Sequence, residues 1–199
     1  MINHKHKFIF IHIPKCAGTS VERAFNGKDG WDNNNKLWKQ HATIKQIKNF
    51  YTTPKQFNTY FKFTIIRNPF DRIVSSYHWL APKVKAEINN NTFYDFVTRQ
   101  GAFKYLLFDK EFYLKENRYH QIKSICDYIL PIKHIDYIAR LETLEKDWMY
   151  ICDKLNININ LPYIHKQRRK PYREYYNKIT REIIEERYKT DLYLFNYKF

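Results

Sequence analysis

The sequence predicts an α/β fold in which a mostly parallel central sheet is flanked by helices. Two strand–loop–helix units carry this prediction. In the first unit, the apolar run Lys7–Ile13 is followed by a short loop containing Gly18 and by a helical segment from Thr19. In the second, Lys62–Arg67 is followed by Pro69, a residue favoured at the first position of a helix. Strands that alternate with helices in this way favour a parallel sheet.

The loop after the first strand has the features of an anion site. Pro14 ends the strand, and Lys15–Ser20 leads into a helix whose start carries hydroxyl groups suited to capping, with Glu22 in its first turn. Backbone N–H groups and the positive end of the helix dipole attract anions there, and Lys15 adds a full charge. The common pattern G-x-x-x-x-G-K-[ST] is absent, because the lysine precedes the glycine by three residues. The loop therefore predicts an anionic nucleotide without implying ATP and magnesium.

A short helix is predicted after a polar segment. Ile44 and Ile47 are spaced for one helical face, and Thr43 is suited to cap it. His41 then lies on the connecting loop just before this helix. A single histidine in such a place is more often structural or exposed than functional.

The second unit places basic and polar groups at the end of a strand. Ile73, Val74, Tyr77 and Leu80 form an apolar face on the helix that starts at Pro69. Ligands of open α/β sheets bind outside the carboxyl ends of the strands, so two such units predict one site for two separated anionic groups. The remaining predicted elements are a helix over Thr92–Gln100 ended by Gly101, a strand over Ile135–Leu141, and helices over Glu142–Leu155 and Thr180–Tyr188.

Length and composition favour one folded domain over residues 1–199, with 44% hydrophobic and 18% aromatic residues. No apolar run is long enough to span a membrane, and the start lacks a signal-peptide core, so a cytoplasmic location is expected. Cys16, Cys126 and Cys152 show no metal-site spacing and no disulfide framework. Cys16 is expected to fill the loop, although a thiol at a helix N-terminus can also be a nucleophile.

The net charge of +15 predicts anionic partners such as a nucleotide, a nucleic acid, an acidic glycan or a membrane surface. The chain is also rich in Lys, Asn, Ile and Tyr and poor in Gly, as an A/T-rich genome would favour. Part of the charge can therefore be compositional.

Taken together, these motifs resemble those of PAPS-dependent sulfotransferases of the carbohydrate sulfotransferase (family 2) type, in a short bacterial or viral-like form. Ile13–Ser20 resembles the loop that binds the 5′-phosphosulfate of PAPS (3′-phosphoadenosine 5′-phosphosulfate), and Arg67–Tyr77 resembles the 3′-phosphate motif. His41 with the Ala-Thr that follows, Ala139–Asp147 and Tyr188–Tyr197 extend the likeness over most of the chain. It is thin between residues 82 and 134.

The resemblance implies a P-loop-like three-layer domain that transfers a sulfuryl group from PAPS to an acceptor hydroxyl, with a carbohydrate as the expected acceptor. PAP, the desulfated nucleotide, is the implied product. No metal is implied, and neither a nucleic-acid partner nor a membrane span is expected. The identity of the acceptor, the position of sulfation and the oligomeric state are not predicted.

The resemblance also assigns residues to the nucleotide. Lys15 and the N–H groups of Gly18, Thr19 and Ser20 hold the 5′-phosphate, and Lys15 stabilises charge on the leaving oxygen. Arg67 and Ser75 bind the 3′-phosphate, while a C-terminal basic loop closes over the nucleotide. The implied nucleotide-binding residues are Lys15, Cys16, Ala17, Gly18, Thr19, Ser20, Arg67, Ser75, Arg168 and Arg169.

The acceptor hydroxyl needs a base, and a histidine suits this role near neutral pH. His41 is the first choice, because related enzymes carry a histidine or a glutamate between the two motifs for this purpose. His12, expected inside the first strand, and Glu22, on the first helix, are weaker candidates.

Two other functions remain open. A nucleotide-dependent kinase would need a lysine after the glycine and carboxylates for magnesium; Asp71 and Asp95 are available, but no pattern places them near the loop. A basic nucleic-acid-binding module is compatible with the charge, yet the sequence has no helix-turn-helix, RNP or zinc pattern.

Overall fold

The structure is a computed structural model that describes residues 1–26, 40–84, 92–108, 118–164 and 169–199. Its backbone forms two compact units. The first comprises Met1–Arg67 and Ile125–Gln167, and the second comprises Asn68–Ser124 and Arg168–Phe199. The expectation that residues 1–199 form a single domain stays a prediction.

A mostly parallel sheet lies in the first unit. Among the described residues it has four strands, β1 (Ile2–Asn3), β2 (Phe8–Ile11), β3 (Phe61–Ile66) and β4 (Tyr137–Arg140), in the order β1-β2-β3-β4. β2, β3 and β4 are parallel to one another, and β1 is antiparallel to β2. The predicted α/β class with a mostly parallel sheet is confirmed.

Burial explains why the pattern of β2 is continuous rather than alternating. All four residues of β2 have 0% exposed surface, as expected for a parallel strand covered on both faces. Its pairing with β3 ends where Ile11 lies opposite Thr64, whose hydroxyl donates to the Ile11 carbonyl at 2.8 Å. The strand therefore stops before His12, two residues earlier than the predicted end at Ile13.

Each predicted helix is present among the described residues, with shifts at its ends, and further helices occur that were not predicted. The described residues contain, in chain order, α1 (Gly18–Asn26), α2 (Ile44–Gln46), α3 (Pro54–Thr59), α4 (Pro69–Leu80), α5 (Phe93–Thr98), α6 (Ala102–Phe108), α7 (Ile125–Ile129), α8 (Leu144–Leu155), α9 (Lys178–Arg187) and α10 (Lys189–Leu194). The second unit holds α4, α5, α6, α9 and α10. No helix in these ranges is both long and apolar enough to cross a membrane.

Capping residues set several helix starts as the sequence predicted. The Thr43 side chain accepts from the Gln46 N–H, and the Gln46 side chain in turn accepts from the Thr43 N–H. Pro69 occupies the first turn of α4, and the Asn68 side chain accepts from the Phe70 N–H. These caps hold the segments that carry His41 and the second motif.

Candidate active site

The loop between β2 and α1 has a strained backbone. Lys15 has φ 65° and Ala17 has φ 58°, so two non-glycine residues adopt the left-handed conformation on either side of Cys16. Such residues cost of order 1–3 kcal/mol each and are concentrated at functional sites. The Cys16 side chain is 1% exposed, in agreement with its expected role as a filler of the loop.

The loop also determines which N–H groups are available as donors. The Ser20 N–H donates to the Ala17 carbonyl at 3.0 Å, and the Val21 N–H contacts the same oxygen at 3.3 Å. Gly18 and Thr19 begin the helix, where N–H groups have no intrahelical acceptor. Gly18 and Thr19 therefore offer backbone donors to a ligand, whereas the Ser20 N–H, predicted as a third donor, is used inside the turn.

Gly18 is required by the close approach of a histidine. A Cβ added at Gly18 would lie 2.0 Å from both Cδ2 and Nε2 of His12. The imidazole of His12 is buried, with 4% of the residue exposed, and it occupies the space that any larger side chain at position 18 would need. The glycine thus allows the ring to pack against the loop.

Gly18→Ala is expected to destabilise the protein by about 2–3 kcal/mol, because the methyl group overpacks a buried site. Gly101→Ala is the matched control, since Gly101 has φ +55° but nothing within 4 Å of an added Cβ. The control variant is expected to lose about 1 kcal/mol of stability, because alanine is strained in the left-handed conformation. Urea unfolding compares both variants with the wild-type protein, and a Gly18→Ala protein as stable as wild type would show that the His12 contact has no cost.

His41 lies against His12. The His41 Nδ1 is 3.0 Å from the His12 carbonyl oxygen, and the two ring centroids are 4.5 Å apart at 71°, an edge-to-face contact. Because a carbonyl only accepts hydrogen bonds, Nδ1 must carry the proton. In the neutral ring, Nε2 then carries the lone pair, which is the form a general base requires.

His12 itself belongs to a buried polar network that the sequence analysis did not identify. Its Nδ1 is 2.8 Å from Glu22 Oε1, and Glu22, also 4% exposed, accepts from the Gln40 side chain at 2.7 Å. Gln40 precedes His41 in the chain, so the network leads back to the candidate base. The signal in the sequence is weak: a Glu ten residues after a His indicates no contact without the intervening turn.

Arg67 joins the two predicted motifs. It directly follows β3, and its Nη1 donates to the Lys15 carbonyl at 3.1 Å. The residue that the resemblance assigns to the 3′-phosphate thus contacts the loop assigned to the 5′-phosphosulfate. Arg67 and Lys15 are both partly exposed. Arg67 and the backbone of Lys15 therefore lie together at one end of the sheet.

The other predicted site residues lie in the second unit or outside the described residues. Ser75 is in α4 and 9% exposed. Arg169 forms an ion pair with Asp71, the acidic residue in the first turn of α4. Arg168 lies outside the described residues. The roles of these three predicted residues in nucleotide binding stay predictions.

Arg72, the second arginine of the motif, differs from Arg67 in its surroundings. Its side chain is fully buried, its Nη2 donates to the Lys123 carbonyl at 2.5 Å, and its guanidinium lies 5.5 Å from the Tyr188 ring centroid. These contacts give Arg72 a structural role within the second unit. The sequence motif alone does not distinguish the two arginines.

An open pocket in the second unit is lined by His78, Arg169, Lys170, Glu174 and Tyr175. His78 Nε2 is 2.8 Å from the Tyr175 hydroxyl, and burial together with the charge of Arg169 lowers the pKa of His78. The lining of this pocket therefore contains the cations Arg169 and Lys170 together with the carboxylate of Glu174.

Comparison with known proteins agrees with these features. A model of the sulfotransferase family matches residues 1–198. The chain is 24% identical over 240 residues to carbohydrate sulfotransferase 10 of Xenopus laevis and 22% identical over 236 residues to carbohydrate sulfotransferase 11 of Mus musculus. Each alignment covers 99% of this chain and 66% of the relative. No solved structure gives a significant match.

Proposed function

The chain belongs to the sulfotransferase family, and from this membership and the site we propose that it transfers a sulfuryl group from PAPS to an acceptor hydroxyl. The observation that carries the proposal is the hydrogen bond from Arg67 to the Lys15 carbonyl. It places the first residue of the second motif against the loop of the first motif, and PAPS has anionic groups at two separate positions.

The chemistry of the loop fits the nucleotide. α1 has nine residues, begins at Gly18, and directs the N–H groups of Gly18 and Thr19 away from the helix. Its dipole and the Lys15 ammonium favour a bound anion. Arg67 can bind a phosphate with two parallel hydrogen bonds, which a lysine cannot. These groups would hold the two charged ends of PAPS, which supplies the sulfuryl group.

The residues of the first unit have separate tasks in the proposed reaction. His41 Nε2 accepts the proton of the acceptor hydroxyl while the acceptor oxygen forms its bond to sulfur. The bond from sulfur to the phosphate oxygen breaks, and Lys15 stabilises the negative charge that remains on this oxygen. By analogy with phosphoryl transfer, positioning and charge stabilisation supply most of the catalysis.

Following the resemblance, we also propose Ser75, Arg168 and Arg169 as ligands of the nucleotide. Ser75 contributes a hydroxyl from α4 to the 3′-phosphate, in keeping with the resemblance. Arg169 has a competing partner, because Asp71 already pairs with it. Its guanidinium presents several donors in a fixed fork, so a pair with Asp71 is compatible with a phosphate contact.

A carbohydrate is the proposed acceptor class. The support is the printed name of both relatives, carbohydrate sulfotransferase. The proposal concerns the class alone, since the alignments leave a third of each relative unmatched.

Calorimetric titration with PAP, ADP and ATP, each with and without magnesium, tests the donor. We expect tight binding of PAP that does not depend on magnesium and that exceeds binding of ADP and ATP. A preference for ATP with magnesium would replace the proposal by a kinase. Binding of none of the three, together with salt-sensitive binding of RNA or DNA, would favour a nucleic-acid-binding module.

Arg67→Ala is expected to weaken PAP binding by roughly 10- to 100-fold, because a charged hydrogen-bond partner contributes about 1.5–3 kcal/mol. AMP, which lacks the 3′-phosphate, is expected to lose much less affinity. Arg23→Ala is the control, since Arg23 is an exposed arginine on α1 of the same unit. Equal losses for PAP and AMP would place Arg67 away from the 3′-phosphate.

A further inference from the structure

His12 and Glu22 form a buried pair that needs an explanation beyond stability. Both residues are 4% exposed, and their side chains meet at 2.8 Å. A buried polar pair gains little over two well-packed apolar residues, because the loss of hydration offsets the attraction between the partners. The position of this pair, between the loop and His41, indicates a functional reason for it.

The pair holds the His12 ring in one orientation. Glu22 accepts from Nδ1 of His12 at one carboxylate oxygen and from the Gln40 side chain at the other, at 2.8 and 2.7 Å. Both oxygens of the carboxylate are therefore used, and the plane of the imidazole is determined. On its far side the same ring packs against Gly18.

The oriented His12 ring packs against the ring of His41. The two rings meet edge to face at 4.5 Å, and the His12 carbonyl takes the Nδ1 proton of His41 at 3.0 Å. His41 thus has its plane set by the His12 side chain and its tautomer set by the His12 backbone. A displacement of about 1 Å at a reacting group can cost 10²-fold in rate, so such support has a measurable effect.

We propose that His12 and Glu22 are positioning residues that hold His41 in the orientation and tautomer of a general base. The pair acts through His41 and does not touch the acceptor or the nucleotide. Gln40 belongs to the same hydrogen-bond network, because its side chain donates to the second carboxylate oxygen of Glu22. This inference rests on the proposed function for the role of His41.

Glu22→Gln tests the pair with little change in shape. His12 and Gln40 bind different oxygens of Glu22. In glutamine one of these oxygens is replaced by an NH2 donor, so only one of the two contacts keeps its acceptor. We expect kcat for sulfuryl transfer to fall by roughly 10- to 100-fold, with PAP affinity within twofold of the wild-type value. Glu145→Gln is the control, because Glu145 is exposed in the first turn of α8. Gln40→Ala is a second, partly exposed variant that disrupts the same carboxylate.

Combination with His41→Ala separates positioning from general damage. In the His41→Ala background, Glu22→Gln is expected to have no further effect on the residual rate, since residues that act as one unit are non-additive. An equal loss in both backgrounds, or a loss of PAP affinity as large as the loss of kcat, would overturn the proposal.

Nitrogen NMR of ¹⁵N-histidine-labelled protein tests the proposal without any acceptor. In the wild-type protein, His41 is expected as a single neutral tautomer with Nδ1 protonated, and in Glu22→Gln as a mixture of tautomers. A wild-type His41 protonated at Nε2, or identical His41 signals in both proteins, would overturn the positioning role. Absence of PAP binding in calorimetry would instead overturn the proposed function, so the two failures are distinguishable.

Discussion

His41→Ala is expected to lower kcat for sulfuryl transfer by roughly 10²- to 10⁴-fold, the range for loss of a general base. The reason lies in the hydrogen bond at 3.0 Å between Nδ1 and the His12 carbonyl, which leaves the lone pair on Nε2. The measurement is transfer of labelled sulfate from PAPS to the best acceptor in a panel of glycans, including desulfated heparin and chondroitin. PAP affinity is expected to stay within twofold, because the base contacts the acceptor.

Two controls, one variant and one added compound, make this result specific. His4→Ala removes an exposed histidine of the same unit, whose Nδ1 is 3.0 Å from the Tyr60 hydroxyl, and it is expected to transfer at the wild-type rate. Added imidazole is expected to restore part of the rate of His41→Ala, because it occupies the space of the missing ring. Turnover of His41→Ala close to wild type would remove His41 as the base.

The sequence was sufficient for elements whose signals are local. A continuous apolar run followed by Pro14 predicted β2, and Pro69 after Asn68 predicted the start of α4, because these signals depend on neighbours in the chain. The predicted ends of strands and helices were less accurate. β2 stops at Ile11 because its pairing with β3 stops there, and pairing is a property of the second strand. β1 has two residues and is too short to produce any pattern.

In the candidate site, too, contacts between residues far apart in the chain could not be predicted from local patterns. Lys15 and Arg67 were identified from motifs, but their contact depends on the parallel pairing of β2 with β3. His12 was expected inside a strand and considered a weak candidate base. Its importance comes from three tertiary contacts, with Gly18, Glu22 and His41, none of which has a periodic signal.

Burial separates residues that the sequence motif makes equivalent. Arg67 and Arg72 occur in the same six-residue stretch, yet one directly follows β3 and is partly exposed, whereas the other is fully buried against Tyr188. Only the fold of the second unit determines that Arg72 faces its core. The pair between Arg169 and Asp71 is similarly long-range, since the two residues are 98 positions apart.

Lys15→Ala is expected to lower kcat by roughly 10²- to 10³-fold, the usual effect of removing one preorganised group that stabilises charge in a transition state. Charge on the leaving oxygen develops only as its bond to sulfur breaks. An interaction that exists mainly in the transition state changes kcat more than it changes ground-state affinity. PAP affinity is therefore expected to fall by a much smaller factor, measured by calorimetry on the same variant.

The contacts and conformation of the Lys15 backbone make the effect of Lys15→Ala simple to interpret. Arg67 binds the Lys15 carbonyl rather than its side chain, so truncation to alanine leaves the bond at 3.1 Å in place. Alanine also has the same left-handed strain at φ 65° as lysine has, since both carry a Cβ. The loop is therefore expected to keep its conformation, and the loss of rate reports the ammonium alone.

Two comparisons determine what the ammonium does. Lys45→Ala removes an exposed lysine of α2 and is expected to leave kcat unchanged, which controls for the overall charge of the protein. Lys15→Arg keeps the charge but spreads it over a planar group, and it is expected to recover part of the rate. An unchanged rate in Lys15→Ala would leave the loop without its catalytic cation. Equal losses of kcat and PAP affinity would make Lys15 a ligand of the ground state, because its interaction would then be as strong before the sulfur–oxygen bond breaks as during the reaction.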